Sequence, residues 1–139
     1  IFFTGHVKND LIPKYLAATK IVVHPSFTET WCNAVAEALS YGIPVVATNV
    51  EGLLELTNHG EFAELVPIAN SHEIYKSLHN ILSNQDAYDA VKKKAERGKV
   101  FVRKNYTASN QAEEFIKLYE NVLYGQTKQI DPVLFSASR

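Results

Sequence analysis

The sequence predicts an α/β domain built on a parallel sheet. Two short β-branched runs, Ile21-Val22-Val23-His24 and Val45-Val46-Ala47-Thr48, have strand length and are bounded by Pro25 and Pro44. Segments of helical periodicity lie between and after them. Strand and helix alternate along the chain, the order that gives parallel strands joined by helical crossovers.

Each element has a local reason. Ile1 to Thr4 reads as a first short strand closed by Gly5. Asp10 is a candidate cap for the next helix, with Pro13 in its first turn and Leu11, Tyr15 and Ala18 on one face. The strand over 21–24 is followed by a loop, Phe27 to Asn33, and a short helix, Ala34 to Tyr41, which Gly42 ends as a left-handed cap. Pro44 opens the strand over 45–48. Leu53 to Asn58 reads as a short helix, Gly60 turns the chain, and Phe62 to Val66 is a fourth strand stopped by Pro67. Ser71 is a candidate cap for a helix bearing Ile74, Leu78, Ile81 and Leu82. A polar helix follows over about Asp86 to Lys104. The last, near Ser109 to Tyr124, carries an apolar stripe of Ala112, Phe115, Ile116, Tyr119, Val122 and Leu123. From Gly125 onward no period is visible, so the expected division is a domain over 1–126 and a tail over 127–139.

Composition narrows the function. Of 139 residues 46% are apolar and 21% charged, with a net charge of −1, so a buried core is expected and a broad electrostatic footprint for nucleic acid is not. The basic run from Lys92 to Lys104 is interrupted by Glu96 and reads as a solvated helix face. Cys32 is the single cysteine and forms no internal disulfide, which suits a reducing, cytoplasmic setting. No apolar run approaches the ~20 residues of a membrane helix. The chain has no Met and begins directly on Ile1-Phe2-Phe3, which reads as a piece of a longer protein.

The chemistry concentrates between Phe27 and Thr48. Glu29 and Glu37 stand eight residues apart, the first in the loop after a strand and the second about one turn into the next helix. Open α/β sheets bind ligands at the carboxyl ends of their strands. A helix starting at Asn33 or Ala34 presents unpaired N–H groups and a partial positive charge, suited to phosphate. The small residues Cys32, Asn33 and Ala34 allow close approach, and a carboxylate one turn on accepts hydrogen bonds from a diol such as ribose. Each acid alone reads as an ordinary surface group. A glycosidase pair is disfavoured, because those carboxylates sit about 5–9.5 Å apart whereas eight helical residues span about 12 Å. His24, at a strand end, reads as a wall of the site; the remaining histidines show no metal-ligand spacing, and no His partner for Cys32 is evident. Trp31 reads equally well as a sugar-stacking ring or as packing beneath the loop.

These residues resemble the Glu-x7-Glu motif of the family 4 retaining glycosyltransferases. The resemblance runs in order from FFTGHV through VVHPS and EALSYGIPVVA to TNVEGLLEL and FAELVPIA, about Phe2 to Tyr124. It implies the second, donor-binding, Rossmann-like domain of a GT-B enzyme, with helices on both faces of the sheet, truncated at its N-terminal side. Two further strands would belong between the first and second strands read here. The implied reaction is metal-independent transfer of a sugar from a nucleoside diphosphate donor to an acceptor hydroxyl in a glycan, lipid or small molecule. The donor is a substrate, and no cofactor or metal is implied. The acceptor would meet a missing N-terminal domain, and the whole enzyme could touch a membrane peripherally. Residue by residue, Glu37 matches the acid on the ribose, and Glu29 matches the catalytic-site acid beside the donor sugar and departing phosphate. The backbone of Trp31, Cys32, Asn33, Ala34 and Val35 matches the diphosphate cradle. His6 and Val7 match the segment along the base. Thr30-Trp31-Cys32 departs from the family's Gly-Phe-Gly and bears on the donor sugar, and Glu51 replaces the first Gly of a Gly-Gly turn. The other reading consistent with the pattern is a non-catalytic nucleotide-sugar-binding or scaffold module. A nicotinamide domain is excluded, because no Gly-x-Gly-x-x-Gly follows a strand.

Overall fold

The computed structural model describes residues 1–124. A 3-10 turn, Asn9–Leu11, leads into α1 (Ile12–Ala18), β1 (Val22–His24), α2 (Asn33–Ser40), β2 (Val45–Thr48) and α3 (Glu51–Leu56). Then follow β3 (Glu64–Val66), α4 (Ser71–Ser83), α5 (Gln85–Asn105) and α6 (Ala108–Leu123). The sheet is parallel in the order β1-β2-β3, with Val22 beside Val45 and Val46 beside Glu64.

The central strand explains the two-sided architecture. All four residues of β2 are buried. Val45 and Ala47 face a larger core with Val35, Ala38 and Leu39 of α2, Leu53 and Leu56 of α3, and Ala95 and Val102 of α5. Val46 faces the other side, with Val66, Ile81 of α4 and Val91. Period-two alternation in one strand thus recruits helices to both faces. Gly98 lets α5 approach closely: a Cβ there would stand 2.9 Å from Phe62 Cβ and 3.1 Å from Leu39 Cδ2.

Three expectations are corrected. Ile1 to Thr4 is no strand: among the described residues the sheet has three strands, and Ile1, Phe2 and Phe3 are fully exposed. A strand needs a hydrogen-bonding neighbour, and among the described residues β1 pairs with β2 alone. Asp10 caps nothing, because it lies inside the 3-10 turn and Leu11 precedes α1 without a side-chain cap bond. Asn70 rather than Ser71 caps α4, its Oδ1 accepting from the Glu73 N–H at 3.1 Å. Asn84 and Thr107 cap α5 and α6 in the same way. Gly42 does end α2, at φ +69°, with its N–H on Leu39 O at 2.7 Å and the Ile43 N–H on Ala38 O at 3.0 Å. The expected tail, and the boundary near 126, lie outside the described residues.

The basic run is tied into the protein. Lys92 donates to Gly42 O, Lys94 pairs with Glu64, Arg97 pairs with Glu61, and Arg103 donates to Ser40 O. These contacts join α5 to the end of α2 and to the approach to β3. Among the described residues, no helix is long and apolar enough to cross a membrane.

Candidate functional site

The site forms where β1 and β2 end. Beyond His24 the chain leaves the sheet through Pro25 and Ser26 and bends at Phe27, and the hydroxyl of buried Thr48, the last residue of β2, donates to Ser26 O at 2.5 Å. The next loop is held from α3, where the Gly52 N–H donates to Glu29 O at 3.2 Å. A Cβ at residue 52 would stand 2.6 Å from Thr30 O and 2.7 Å from Glu29 O, so only glycine allows this backbone contact. Of the Gly-Gly turn in the motif that the sequence resembles, the second glycine is thus kept as Gly52, while Glu51 takes the first place at the start of α3.

Glu29, His24 and Cys32 converge in the space so framed. Glu29 Oε1 lies 2.8 Å from His24 Nε2, and each side chain is 24% exposed. An ionised carboxylate only accepts, so Nε2 carries the hydrogen and donates. Cys32 Sγ stands 3.4 Å from the same nitrogen. Burial pushes the Cys32 thiol above its usual value; the Val35 backbone N–H acts against this, and the negative charge of Glu29 adds to it. Cys32 is thus a buried neutral thiol at neutral pH rather than an activated nucleophile. The sequence suggested neither the His–Glu bond nor the proximity of Cys32. Separations of five and eight residues across an irregular loop follow no helix or strand period.

The start of α2 is open. Asn33 and Ala34, in its first turn, are exposed, as is Glu37. Asn33 and Glu37 are four apart and share a face. With Trp31, Ala36, Ser40, Val102 and Tyr106 they line a cleft of about 280 Å³. Val35, Ala38 and Leu39 point the opposite way into the core. Thus the start is not plugged by packed side chains, and Glu37 lies on its accessible face. Glu29 is turned toward His24, while Glu37 looks into the Trp31 cleft.

Trp31 packs edge-on against Tyr106 with ring centroids 4.5 Å apart, and its Nε1–H donates to Asn33 Oδ1 at 3.1 Å. Burial and the charge of Glu55 raise the Tyr106 phenol, which stays neutral. The same pair borders a larger cleft of about 530 Å³ with Asn105, Asn110, Gln111 and Glu114 on its walls. Sequence reasoning did not anticipate this α5–α6 wall, which lies more than 70 residues downstream of Trp31. His6 is exposed and Val7 half-buried in the irregular segment before α1.

A parallel α/β sheet with helices on both faces defines a fold of the doubly wound kind, and the start of α2 stands open at its strand tips. The chain matches the family described as Glycosyl transferases group 1 over residues 1–98 and belongs to that family. It is 28% identical over 120 residues to an uncharacterized glycosyltransferase of Methanocaldococcus jannaschii, covering 86% of this chain and 30% of that protein. Among solved structures, sucrose-phosphate synthase from Thermosynechococcus elongatus is similar with a TM-score of 0.77 and 22% identity, over 89% of this chain and 30% of the other. Anabaena HepE in complex with UDP and glucose is similar with a TM-score of 0.71 and 22% identity, over 81% of this chain and 30% of the other. The chain thus spans about 30% of the length of these proteins.

Proposed function

We propose that this chain forms the nucleotide-sugar donor site of a retaining family 4 glycosyltransferase with the GT-B architecture, in its C-terminal domain. The observation that carries the reading is the exposed start of α2, with Glu37 on the same face and Glu29 in the loop before it. The N–H groups of Asn33, Ala34 and Val35, which no backbone carbonyl accepts, receive the diphosphate, those of Ala34 and Val35 turning from the Cys32 sulfur, and their partial charge offsets the charge that grows on the leaving group. Glu37 accepts hydrogen bonds from the ribose hydroxyls. Glu29 stands beside the donor sugar, held by His24 and by the backbone of Gly52. The cradle runs from Trp31 through Cys32 to Val35, and His6 and Val7 lie along the base. Support for a nucleotide-sugar donor also comes from the similarity to the HepE structure containing UDP and glucose.

In this reading transfer to the acceptor hydroxyl uses no metal, and the acceptor, a glycan, lipid or small molecule, is presented by another part of the protein. Glu37→Ala in the intact enzyme is expected to raise the donor dissociation constant about 10–100-fold, the worth of ~1.5–3 kcal/mol for hydrogen bonds to a charged group. Isothermal calorimetry checks it, and unchanged affinity would refute the ribose role. Glu29→Gln is expected to lower turnover more than donor binding. Donor binding without sugar transfer to any acceptor would instead favour the non-catalytic module.

A further inference from the structure

His24, Glu29 and Cys32 bring three kinds of metal-binding donor together at one strand tip. One atom from each, the imidazole nitrogen, a carboxylate oxygen and the sulfur, lies within 4.8 Å of the other two. The individual separations are 2.8 Å for Nε2 to Glu29 Oε1 and 3.4 Å for Nε2 to Cys32 Sγ. We propose that these three side chains form a binding site for a borderline transition-metal ion of the Zn²⁺ type, and that its occupancy shuts the donor site.

The chemistry fits the ion. Tetrahedral zinc takes nitrogen, oxygen and sulfur ligands at about 2.0–2.3 Å, which sets ligand-to-ligand edges of about 3.4–3.6 Å. The sulfur-to-nitrogen distance is already near such an edge, and the nitrogen-to-oxygen pair has only to open by roughly half an ångström. Neutral imidazole, carboxylate and thiolate sum to two negative charges, which a divalent ion neutralises in a partly buried setting. As the metal bonds form, the thiol proton leaves to solvent and the imidazole moves its hydrogen from Nε2 to Nδ1, which frees the Nε2 lone pair for the ion. Mixed thiolate and imidazole ligands favour zinc-like ions over magnesium or calcium, which prefer all-oxygen sets. Three protein ligands leave a fourth position open to water.

The surroundings hold the ligands in place. His24 is the last residue of β1, Cys32 directly precedes α2, and the Glu29 backbone is fixed by the Gly52 N–H. Rigid elements on both sides reduce the ordering cost of binding. Coordination would seat the ion against Cys32, directly before the first turn of α2, where it occupies the room proposed for the diphosphate, and would also hold Glu29 away from the donor sugar. This control claim rests on the donor-site reading, whereas the metal site itself does not.

The test has two arms on the intact protein. In the first, Zn²⁺ is titrated against a chromophoric chelator competitor, with wild type, Cys32→Ser and His24→Gln compared. One equivalent is expected to bind wild type, and each variant is expected to bind at least about tenfold more weakly, as loss of a direct ligand exceeds the loss from outer-shell changes. Co²⁺ alone is expected to give a thiolate-to-metal charge-transfer band in wild type that is missing in Cys32→Ser. Equal affinity in all three proteins, or no cobalt–sulfur band, overturns the site.

In the second arm, UDP and GDP are titrated with and without Zn²⁺. Zinc is expected to weaken nucleotide binding about tenfold in wild type, within the usual range of coupling between two ligands; Cys32→Ser, which reports chelation of zinc by the nucleotide itself, is expected to show a smaller change. An equal zinc effect in both proteins overturns the control claim. Failure of metal-free protein to bind either nucleotide, with the first arm positive, overturns the donor reading and the control claim and leaves the ligand assignment standing.

Discussion

α2 and α6 are both amphipathic by sequence, yet the structure uses them in opposite ways. Val35, Ala38 and Leu39 of α2 are sealed against β2 and α5, and the polar or small face of the helix is open. On α6 the apolar side chains are the open ones: Phe115, Ile116, Tyr119, Val122 and Leu123 are 52–75% exposed, and no residue of the helix is buried. An apolar stripe states that a face can be buried; only the topology states whether something lies against it. α2 directly precedes β2, the central strand, so its stripe has a partner within ten residues. α6 follows α5 at the end of the described chain.

The contrast can be broken by mutation. The largest effect is expected from Leu39→Ala, which empties a fully buried position between β2 and α5 and should destabilise by about 2–5 kcal/mol in urea unfolding. Gly52→Ala is expected next, at about 1–3 kcal/mol, because a methyl group meets the backbone of Glu29 and Thr30 and forces the site loop outward. The same variant should lose donor affinity by calorimetry, whereas a core variant that still folds should not. Asn70→Ala removes the cap of α4 and should cost about 1 kcal/mol, read as a fall in the urea midpoint. Ile116→Ala is expected to change stability by less than about 0.5 kcal/mol. A cost equal to that of Leu39→Ala would erase the distinction between the two helices.

The same contrast marks how far the sequence could be read. The strands over 22–24 and 45–48, the helix after Asn33 and the Gly42 cap were legible because each depends on nearby residues: β-branched runs, a proline boundary, a glycine at positive φ. The strand expected over Ile1 to Thr4 failed because strand formation depends on a neighbour, which a local pattern does not encode. Asn70 and Ser71 are adjacent residues of the same capping type, and backbone geometry alone separated them. At the candidate site, the open face of α2 was legible from the small residues around Cys32. His24 could be read as a wall, but its bond to Glu29 and its contact with Cys32 depend on how the loop folds back over the strand tip. The Tyr106 wall depends on α5 passing beneath Trp31, a long-range placement.

The Thr48 hydroxyl couples two scales of the molecule. It closes β2 and at the same time fixes the height of the chain leaving β1, through Ser26 O. Sliding β2 by one residue would swap which of its side chains face each core and would also remove the peg beneath the loop. The crevice at the strand tips therefore acts as a gauge of register: a mispaired sheet could still collapse around apolar residues, but it would not form this crevice.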